Sequence, residues 1–180
     1  MTTMANVQPI TETSDKNEIL TRIHEAESGM QELMSPLSEK EVNTVPYKDS
    51  WTAGMLFRHV SKSMEAMSKA MQKDGEPAKR DPAEKIPELK NTFLDFSTKM
   101  DSPDFIVPEE GPYEKRSISD ELNNSYMHLK ESATHAKLSE LAKGLPLGDI
   151  TKLEILHFSL YHTKRHLHQM TKICGALKNK

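Results

Sequence analysis

The sequence predicts an all-α fold, a four-helix bundle with one additional short helix in a crossover. Three observations predict it: apolar residues recur at spacings of three and four over long segments, clusters of proline and glycine separate those segments, and strand-like alternation is missing. The 180 residues fit one domain with a core of ordinary size. We expect a loose lead-in over residues 1–14 and a single helical domain over residues 15–180.

Helix one is expected over residues 15–34, where the apolar positions follow the spacing of an amphipathic helix. Ser14 or Asp15 can cap its start, and Pro36 follows its end. Residues 39–48 show no helical period and are expected to form a loop.

Helix two is expected to begin at Asp49 or Ser50 and to run to about Lys73, because the Gly and Pro of residues 74–77 stop it. Four methionines lie on it at helical spacing, Met55, Met64, Met67 and Met71. Thioether metal sites usually contain Cys or a tight Met repeat as well, so these side chains are expected to pack in the core.

A long crossover follows, with charged, proline-containing loops at residues 79–87 and 101–112 and a short helix between residues 87 and 100. Helix three is expected over residues 117–143. The Gly and Pro of residues 144–149 break the chain again.

Helix four then begins at a cap formed by Asp149 or Thr151, with Glu154 in its first turns. No Pro or Gly interrupts residues 150–173, so this segment is predicted to be one continuous helix.

Composition excludes several classes of function. The net charge is −3 with both signs mixed along the chain, so there is no basic stripe for nucleic acid or for an anionic membrane. One cysteine, Cys174, excludes an internal disulfide and fits a reducing compartment. No apolar run approaches transmembrane length, and residues 1–17 lack the core of a signal peptide. We expect a cytoplasmic protein with no nucleic acid and no membrane as partner.

The most informative segment is residues 161–170, which places His162 and His166 four residues apart on helix four. At about 100° per residue they lie about 40° apart around the axis, so both rings can face one metal ion. Helix two offers His59 on the same stripe as Trp51, where a polar imidazole among apolar neighbours needs a partner. The three predict a divalent-metal site with open positions, and hydrogen-bonded core histidines are the alternative.

The other histidines are expected elsewhere. His157 and His168 lie on a different face of helix four, toward a neighbouring element, a subunit partner or solvent. Lys164 and Arg165 are expected at a solvated edge, or beside the metal site as partners of an anionic substrate or thiolate. Three histidines are expected at the surface, His24, His128 and His135.

Two segments resemble a known family. One is residues 46–59, which runs from a loop through a tryptophan to a histidine. The other is a Leu-Gly turn at residues 147–148 and a helix start with Glu, followed by His162-x-x-x-His166-x-x-Gln169 and an apolar residue. Together they resemble the DinB/YfiT-like superfamily of metal-dependent enzymes.

The resemblance implies a DinB-like four-helix bundle, often a homodimer, with a divalent metal ion such as Zn²⁺ or Ni²⁺ bound by His59, His162 and His166. Gln169 matches a motif position that is not a regular ligand. Characterised relatives include S-transferases that use bacillithiol or mycothiol and a mycothiol-dependent isomerase.

The resemblance therefore implies a metal-dependent transferase that activates a low-molecular-weight thiol for attack on an electrophile, with a small molecule as substrate. A metal-dependent hydrolase and a non-catalytic metal-binding or interaction module of the same fold are the alternatives. No general base is evident beside the ligands, since Glu154 lies two turns before His162. The insertion at residues 74–112 is expected to reshape access to the site.

Overall fold

The computed structural model describes residues 12–179, with side chains from residue 16 onward. Most of the predicted lead-in over residues 1–14 lies outside the described residues. The elements in chain order are α1 (Glu12–Met34), α2 (Glu39–Val42), α3 (Ala53–Gln72), α4 (Ile86–Leu94), α5 (Lys115–His135), β1 (Leu141–Ala142), β2 (Ile150–Thr151) and α6 (Lys152–Lys178). A single 3₁₀ turn, Asp104–Ile106, lies between α4 and α5.

The four long helices α1, α3, α5 and α6 form the bundle. Helix α3 packs most extensively against α5, α1 packs against α6, and α3 also meets α6 across the core. Helix α4 is the additional short helix of the crossover and lies against α6. The predicted all-α bundle is therefore confirmed. Within the described residues, none of the helices is long and apolar enough to cross a membrane.

The methionines of α3 fill the core as predicted. Met64, Met67 and Met71 are buried, and Met55 is half-buried. Burying one such side chain contributes about 1.5–3 kcal/mol relative to leaving it in water. An unbranched thioether also adapts to irregular gaps between helices, so the packing of α3 needs no metal at these sulfurs.

The start of α3 differs from the prediction of Asp49 or Ser50 as N-cap. Thr52 holds that position, and its hydroxyl accepts a hydrogen bond from the N–H of Met55 at 3.1 Å. Asp49 instead has a φ of 60°, and Ser50 donates its hydroxyl to the Trp51 carbonyl at 2.9 Å. Both residues therefore belong to the turn before the helix, and Trp51 lies outside α3.

Helix α5 is shorter than the helix predicted over residues 117–143. It begins after Glu114, whose carboxylate accepts from two N–H groups of the first turn, and ends at His135. Beyond it, the N–H of Leu141 donates to the carbonyl of Glu76 at 2.8 Å, and β1 pairs with β2 in antiparallel register. This part of the backbone thus forms its hydrogen bonds with two distant segments and not within a longer α5. A local apolar pattern does not reveal such distant partners.

Two small elements were not predicted. The expected loop at residues 39–48 begins with α2, where Ser38 and Glu41 form a capping box. The β1–β2 ladder has two residues on each strand. Strands of that length leave no readable alternation in a sequence, so only the folded chain shows them.

The start of α6 is fixed by a buried carboxylate. Thr151, one of the two predicted caps, holds the N-cap position, and it also forms a capping box with Glu154 that was not predicted. Glu154 is fully buried and accepts two hydrogen bonds of 2.7 Å from the Arg80 guanidinium, one from the N–H of Thr151 at 2.8 Å and one from the N–H of Lys85 at 2.7 Å. We call these four residues the Glu154 cluster. It ties the crossover to the helix that carries two of the candidate ligands.

Candidate metal centre

Helices α3 and α6 bring three histidines together. His59 lies within α3, and His162 and His166 lie one turn apart on α6. Their exposed fractions are 2%, 5% and 7%, respectively. The structure places all three sequence-predicted site residues in one cluster, in which one ligand atom from each lies within 4.8 Å of the others. Their binding of a metal stays a prediction.

The Nε2 atoms of the three rings converge. Nε2 of His166 lies 3.1 Å from Nε2 of His59 and 3.2 Å from Nε2 of His162. Metal–nitrogen bonds of about 2.0–2.1 Å, at the angles of an octahedral or tetrahedral site, separate two ligand nitrogens by about 2.8–3.4 Å. The two distances from His166 to its neighbours therefore fit imidazoles that share one ion.

Two of the rings are oriented by hydrogen bonds on their other nitrogen. Nδ1 of His59 lies 2.9 Å from the carbonyl oxygen of Ile106, and Nδ1 of His166 lies 2.9 Å from Oε1 of Gln169. Both partners are acceptors, so each Nδ1–H donates and the Nε2 lone pair faces the centre. Nδ1 of His162 has no hydrogen-bond partner among the described residues.

Burial keeps the three imidazoles neutral. It lowers the pKa of His59, takes the pKa of His162 well below its ordinary value, and lowers the pKa of His166 to about 3. The neighbouring imidazoles lower the pKa of His162 and His166 further, since one charged ring would repel the next. Neutral rings at physiological pH are the form that binds a cation.

Aromatic side chains surround the cluster. The Trp51 ring lies 4.8 Å from the His59 ring between centroids, and the Phe158 ring lies 5.2 Å from the His162 ring. Phe93 of α4 packs edge-on against Phe158 at 4.9 Å. These apolar walls limit the water that reaches the nitrogens and lower the local dielectric.

The cluster lies in the wall of a cavity of about 830 Å³ that opens to solvent, which we call the ligand cavity. All three histidines line it, together with residues of α3, α4, α6 and the 3₁₀ turn. Its volume is in the range of small-molecule sites. The prediction that the insertion at residues 74–112 shapes access to the site agrees with this lining, because Phe93 and residues 96–107 contribute to it.

Arg165 has a different role from the two predicted for it. Its guanidinium donates to the carbonyl of Asp95 at 2.8 Å, to that of Phe93 at 3.4 Å and to that of Thr98. It lines the ligand cavity but caps the end of α4, so its donors hold the crossover in place. Lys164, the neighbouring cation, is half-buried and does not line the cavity.

Residues 101–114, which we call the strap, carry the Ile106 carbonyl that orients His59. Glu109 of the strap accepts hydrogen bonds from Arg58 at 2.8 Å and from Lys62 at 3.0 Å, and both cations lie beside His59 on α3. Arg58 lowers the pKa of Glu109 to about 2, with a further contribution from Lys62. Lys62 also donates to the carbonyl of Val107 at 2.8 Å.

The remaining histidines lie outside the cluster. His168 stacks on Phe96 with a centroid distance of 4.3 Å and an interplanar angle of 9°, and His157 contacts Tyr161 on its own helix. His168 thus meets a neighbouring element, as predicted, but it also lines the ligand cavity, whereas this contact of His157 stays on its own helix. The three histidines predicted at the surface are exposed, His24, His128 and His135.

Sequence reasoning missed several groups that shape the site. The Ile106 carbonyl is a backbone acceptor and leaves no side-chain signal. Glu109 is an ordinary acidic residue in a loop until its partners on α3 are known. Gln169 was singled out as a motif position, but its hydrogen bond with Nδ1 of His166 was not predicted, although the spacing of three residues on one helix could have indicated it.

Comparisons with known proteins agree with the fold. A family model described as the DinB superfamily matches residues 22–170, a range that contains all three histidines. No curated protein matches the chain. Among solved structures, the chain is similar to the crystal structure of a conserved protein from Enterococcus faecalis, with a TM-score of 0.64 and 16% identity over 91% of this chain and 97% of that chain. At that identity the likeness shows the fold alone.

Proposed function

The chain belongs to the DinB superfamily, and we propose that it is a metal-dependent enzyme that holds one divalent ion with His59, His162 and His166. The observation that carries the proposal is the convergence of three buried, neutral imidazoles in the wall of an open cavity. Three protein ligands are typical of catalytic sites, which keep a position for water or a reactant.

The donor set fits such an ion. Imidazole nitrogen suits Zn²⁺, Ni²⁺ and several other divalent metals, so the occupant depends on geometry and supply. The acceptors on Nδ1 of His59 and His166 are the usual outer partners of ligating histidines and raise the basicity of Nε2.

The reaction we propose is the transfer of a low-molecular-weight thiol to an electrophile. His59, His162 and His166 would hold the divalent ion, which would supply the Lewis acidity that lowers the pKa of the thiol. The sulfur attacks the electrophilic carbon, a C–S bond forms as the bond to the leaving group breaks, and the thiol proton passes to solvent. Trp51, Phe93 and Phe158 exclude water from the region where the sulfur reacts.

One observation favours thiol transfer over hydrolysis. In metalloproteases of the His-Glu-x-x-His type, a carboxylate within hydrogen-bond reach deprotonates the hydrolytic water. The carboxylates that line the cavity within the described residues are Asp49 and Asp101, and both are exposed at its mouth. Glu154 does not line the cavity and is bound to Arg80. A thiol that coordinates a divalent ion is deprotonated outright, whereas the pKa of a metal-bound water falls only to about 7, so a thiol has less need of such a base.

The first test is metal content, by elemental analysis of protein purified without a His-tag. We expect about one divalent ion per chain in wild type and in His135→Ala, whose histidine is exposed and outside the cluster. The ion is expected to be lost in His162→Ala. Absence of metal from reconstituted wild type contradicts the proposal.

The second test separates the three candidate activities. Metal-loaded protein is mixed with 1-chloro-2,4-dinitrobenzene and a panel of small thiols. A transferase consumes thiol and releases chloride in equal amounts, whereas a hydrolase releases chloride with no thiol present. A non-catalytic module does neither, although metal still raises its melting temperature by mass action.

A further inference from the structure

We propose that the ligand cavity binds a small organic anion with an apolar, ring-containing body, and that lysines at the mouth recognise its negative group. This inference rests on the proposed function for its catalytic meaning, since it names the substrate class of that same site. The binding step itself requires neither a metal ion nor a thiol, so it can be tested alone.

The charge of the cavity lining is opposite in sign to that of the whole chain. Four basic and two acidic side chains line it, Lys48, Lys99, Arg165 and Lys172 against Asp49 and Asp101. Four minus two gives a local charge of +2, whereas the formal net charge of the chain is −3. A cleft of one sign with low-dielectric walls concentrates the field and attracts ligands of the opposite sign.

The ammonium groups at the mouth are free to bind a ligand. Arg165 is engaged with backbone carbonyls of the crossover. The other three cations of the lining are exposed, and their ammonium groups form no hydrogen bond or ion pair with the described residues; they are Lys48, Lys99 and Lys172. Three unpaired cations on the rim of one cavity favour a ligand that carries a carboxylate, sulfonate or phosphate.

Exposed apolar residues are concentrated at the same place. Seven large apolar side chains are exposed in the described part of the chain, and five of them line the ligand cavity, Tyr47, Phe96, Met100, Phe105 and Val107. Single exposed apolar residues are normal, but clustering of most of them at one opening indicates a binding surface. Phe96 and His168, whose rings stack in parallel, both line the cavity and add aromatic surface that suits a ring.

The shape of the surface favours a small molecule over a membrane. A membrane-binding face projects its apolar and basic residues outward, whereas these residues surround a concavity of about 830 Å³. An anion with a ring system fills such a cavity and places its charge at the lysines on the rim.

Two fluorescent probes test the proposal, 8-anilinonaphthalene-1-sulfonate and its uncharged counterpart N-phenyl-1-naphthylamine. Both are titrated into the full-length, metal-free protein. Trp51 is the one tryptophan of the chain and lines the cavity, so energy transfer from it to the probe reports binding at this place. We expect the sulfonate to bind at least several times more tightly than the neutral probe, and less tightly as salt is added.

Variants then assign the charge recognition to the mouth. An ion pair at a solvent-exposed edge contributes up to about a factor of five. We therefore expect Lys99→Met combined with Lys172→Met to weaken sulfonate binding about tenfold and to leave the neutral probe unchanged. Lys130→Met is the matched control, because that lysine is exposed and outside the cavity. Near-UV circular dichroism confirms that each variant is folded.

Equal affinity for the two probes, or no effect of the double lysine change, overturns the proposal. The proposal is also overturned if the sulfonate shows no energy transfer from Trp51 while the protein binds phosphatidylglycerol vesicles through the same lysines. That pair of results indicates a membrane surface. The outcome is independent of metal content. If the protein binds the sulfonate but no metal, the proposed enzyme function is wrong and the anion site stands. If it binds metal but not the sulfonate, the anion site is wrong and the proposed enzyme function stands.

Discussion

Two buried polar groups lie on α6 only two turns apart, and their surroundings differ in kind. In the Glu154 cluster, one carboxylate accepts four hydrogen bonds, two of them from a cation. In the histidine cluster, three neutral rings converge at their Nε2 atoms, His59 and His166 direct lone pairs toward the centre, and Nδ1 of His162 has no partner among the described residues.

The difference separates a structural group from a functional one. A buried polar group is tolerated when its hydrogen bonds are complete, and it then fixes a unique packing. Acceptors that converge without a donor are costly unless something else binds them. The first cluster therefore stabilises the fold, and the second keeps its binding capacity for a ligand from outside. Substitutions in the Glu154 cluster should lower the stability of the metal-free protein, whereas substitutions in the histidine cluster should mainly remove the stability gained from metal.

The largest effect is expected from Glu154→Gln. The amide removes the negative charge, presents N–H groups to the donors of Arg80 and Thr151, and leaves Arg80 without its counter-ion. Breaking a buried ion pair by removing one partner costs about 3–5 kcal/mol. We expect about 3 kcal/mol of unfolding free energy to be lost, at the low end because 20% of the Arg80 side chain stays exposed.

Urea denaturation measures this loss. Glu84→Gln is the control, since Glu84 lies in the same crossover but is exposed, and its effect should stay within about 0.5 kcal/mol. Equal losses in the two variants would mean that the Glu154 cluster has no special weight.

Acid should remove the contribution of the same carboxylate. Burial raises the pKa of Glu154, but the hydrogen bonds from Arg80, Thr151 and Lys85 prevail, and the pKa in the folded state lies below the ordinary 4.5. Such a group stabilises the fold fully above the unfolded-state pKa and loses that effect as the pH falls through the folded-state pKa. The stability gap between wild type and Glu154→Gln should be constant above about pH 5.5 and narrow below about pH 4.5.

Unfolding in urea at a series of pH values between about 3 and 7 tests the sign. A gap that widens in acid would show that the folded state raises the pKa of Glu154. The corresponding gap for Glu84→Gln is expected to stay small throughout.

The histidine cluster should respond in the opposite way. His162→Leu removes a buried ring whose Nδ1 is unpaired, so without metal we expect a change in stability of less than about 1 kcal/mol. With free metal at a hundred times its Kd, wild type should gain about 2.7 kcal/mol and the variant none. Melting curves with and without Zn²⁺ or Ni²⁺ measure both. If His162→Leu loses much of its unfolding free energy without metal, the histidine cluster stabilises the fold as the Glu154 cluster does.

The sequence revealed those parts of the two clusters that lie within one helix. His162 and His166 are visible because four residues make one turn, and Thr151 and Glu154 are visible as a cap candidate and an acidic residue in the first turns of the helix. Arg80 was not predicted as the partner of Glu154, since 74 residues separate them and no local period connects them. The end of α5 was not predicted for the same reason. The N–H of Leu141 donates to the carbonyl of Glu76, which is distant in the sequence, and not to a carbonyl of a longer α5.

The smallest effect is expected from a substitution of Glu109, whose ion pairs reach the histidine cluster only through the backbone of the strap. Glu109 holds the strap to Arg58 and Lys62, and the strap carries the Ile106 carbonyl that orients His59. Glu109→Gln should loosen this carbonyl and weaken metal affinity about threefold to tenfold. That is less than the 10- to 100-fold typical of a residue that contacts the ligand itself, because Glu109 acts through the backbone.

Competition with a chromophoric chelator gives the metal affinity directly, and Glu110→Gln is the matched control. Glu110 is adjacent in sequence and exposed, and it forms no hydrogen bond or ion pair with the described residues. High salt should shrink the difference between the two variants, since the Glu109 ion pairs are partly exposed and screened. Glu109→Asp keeps the charge and should recover part of the affinity. If Glu109→Gln and Glu110→Gln bind metal equally well, the orientation of His59 does not depend on the ion pairs of Glu109.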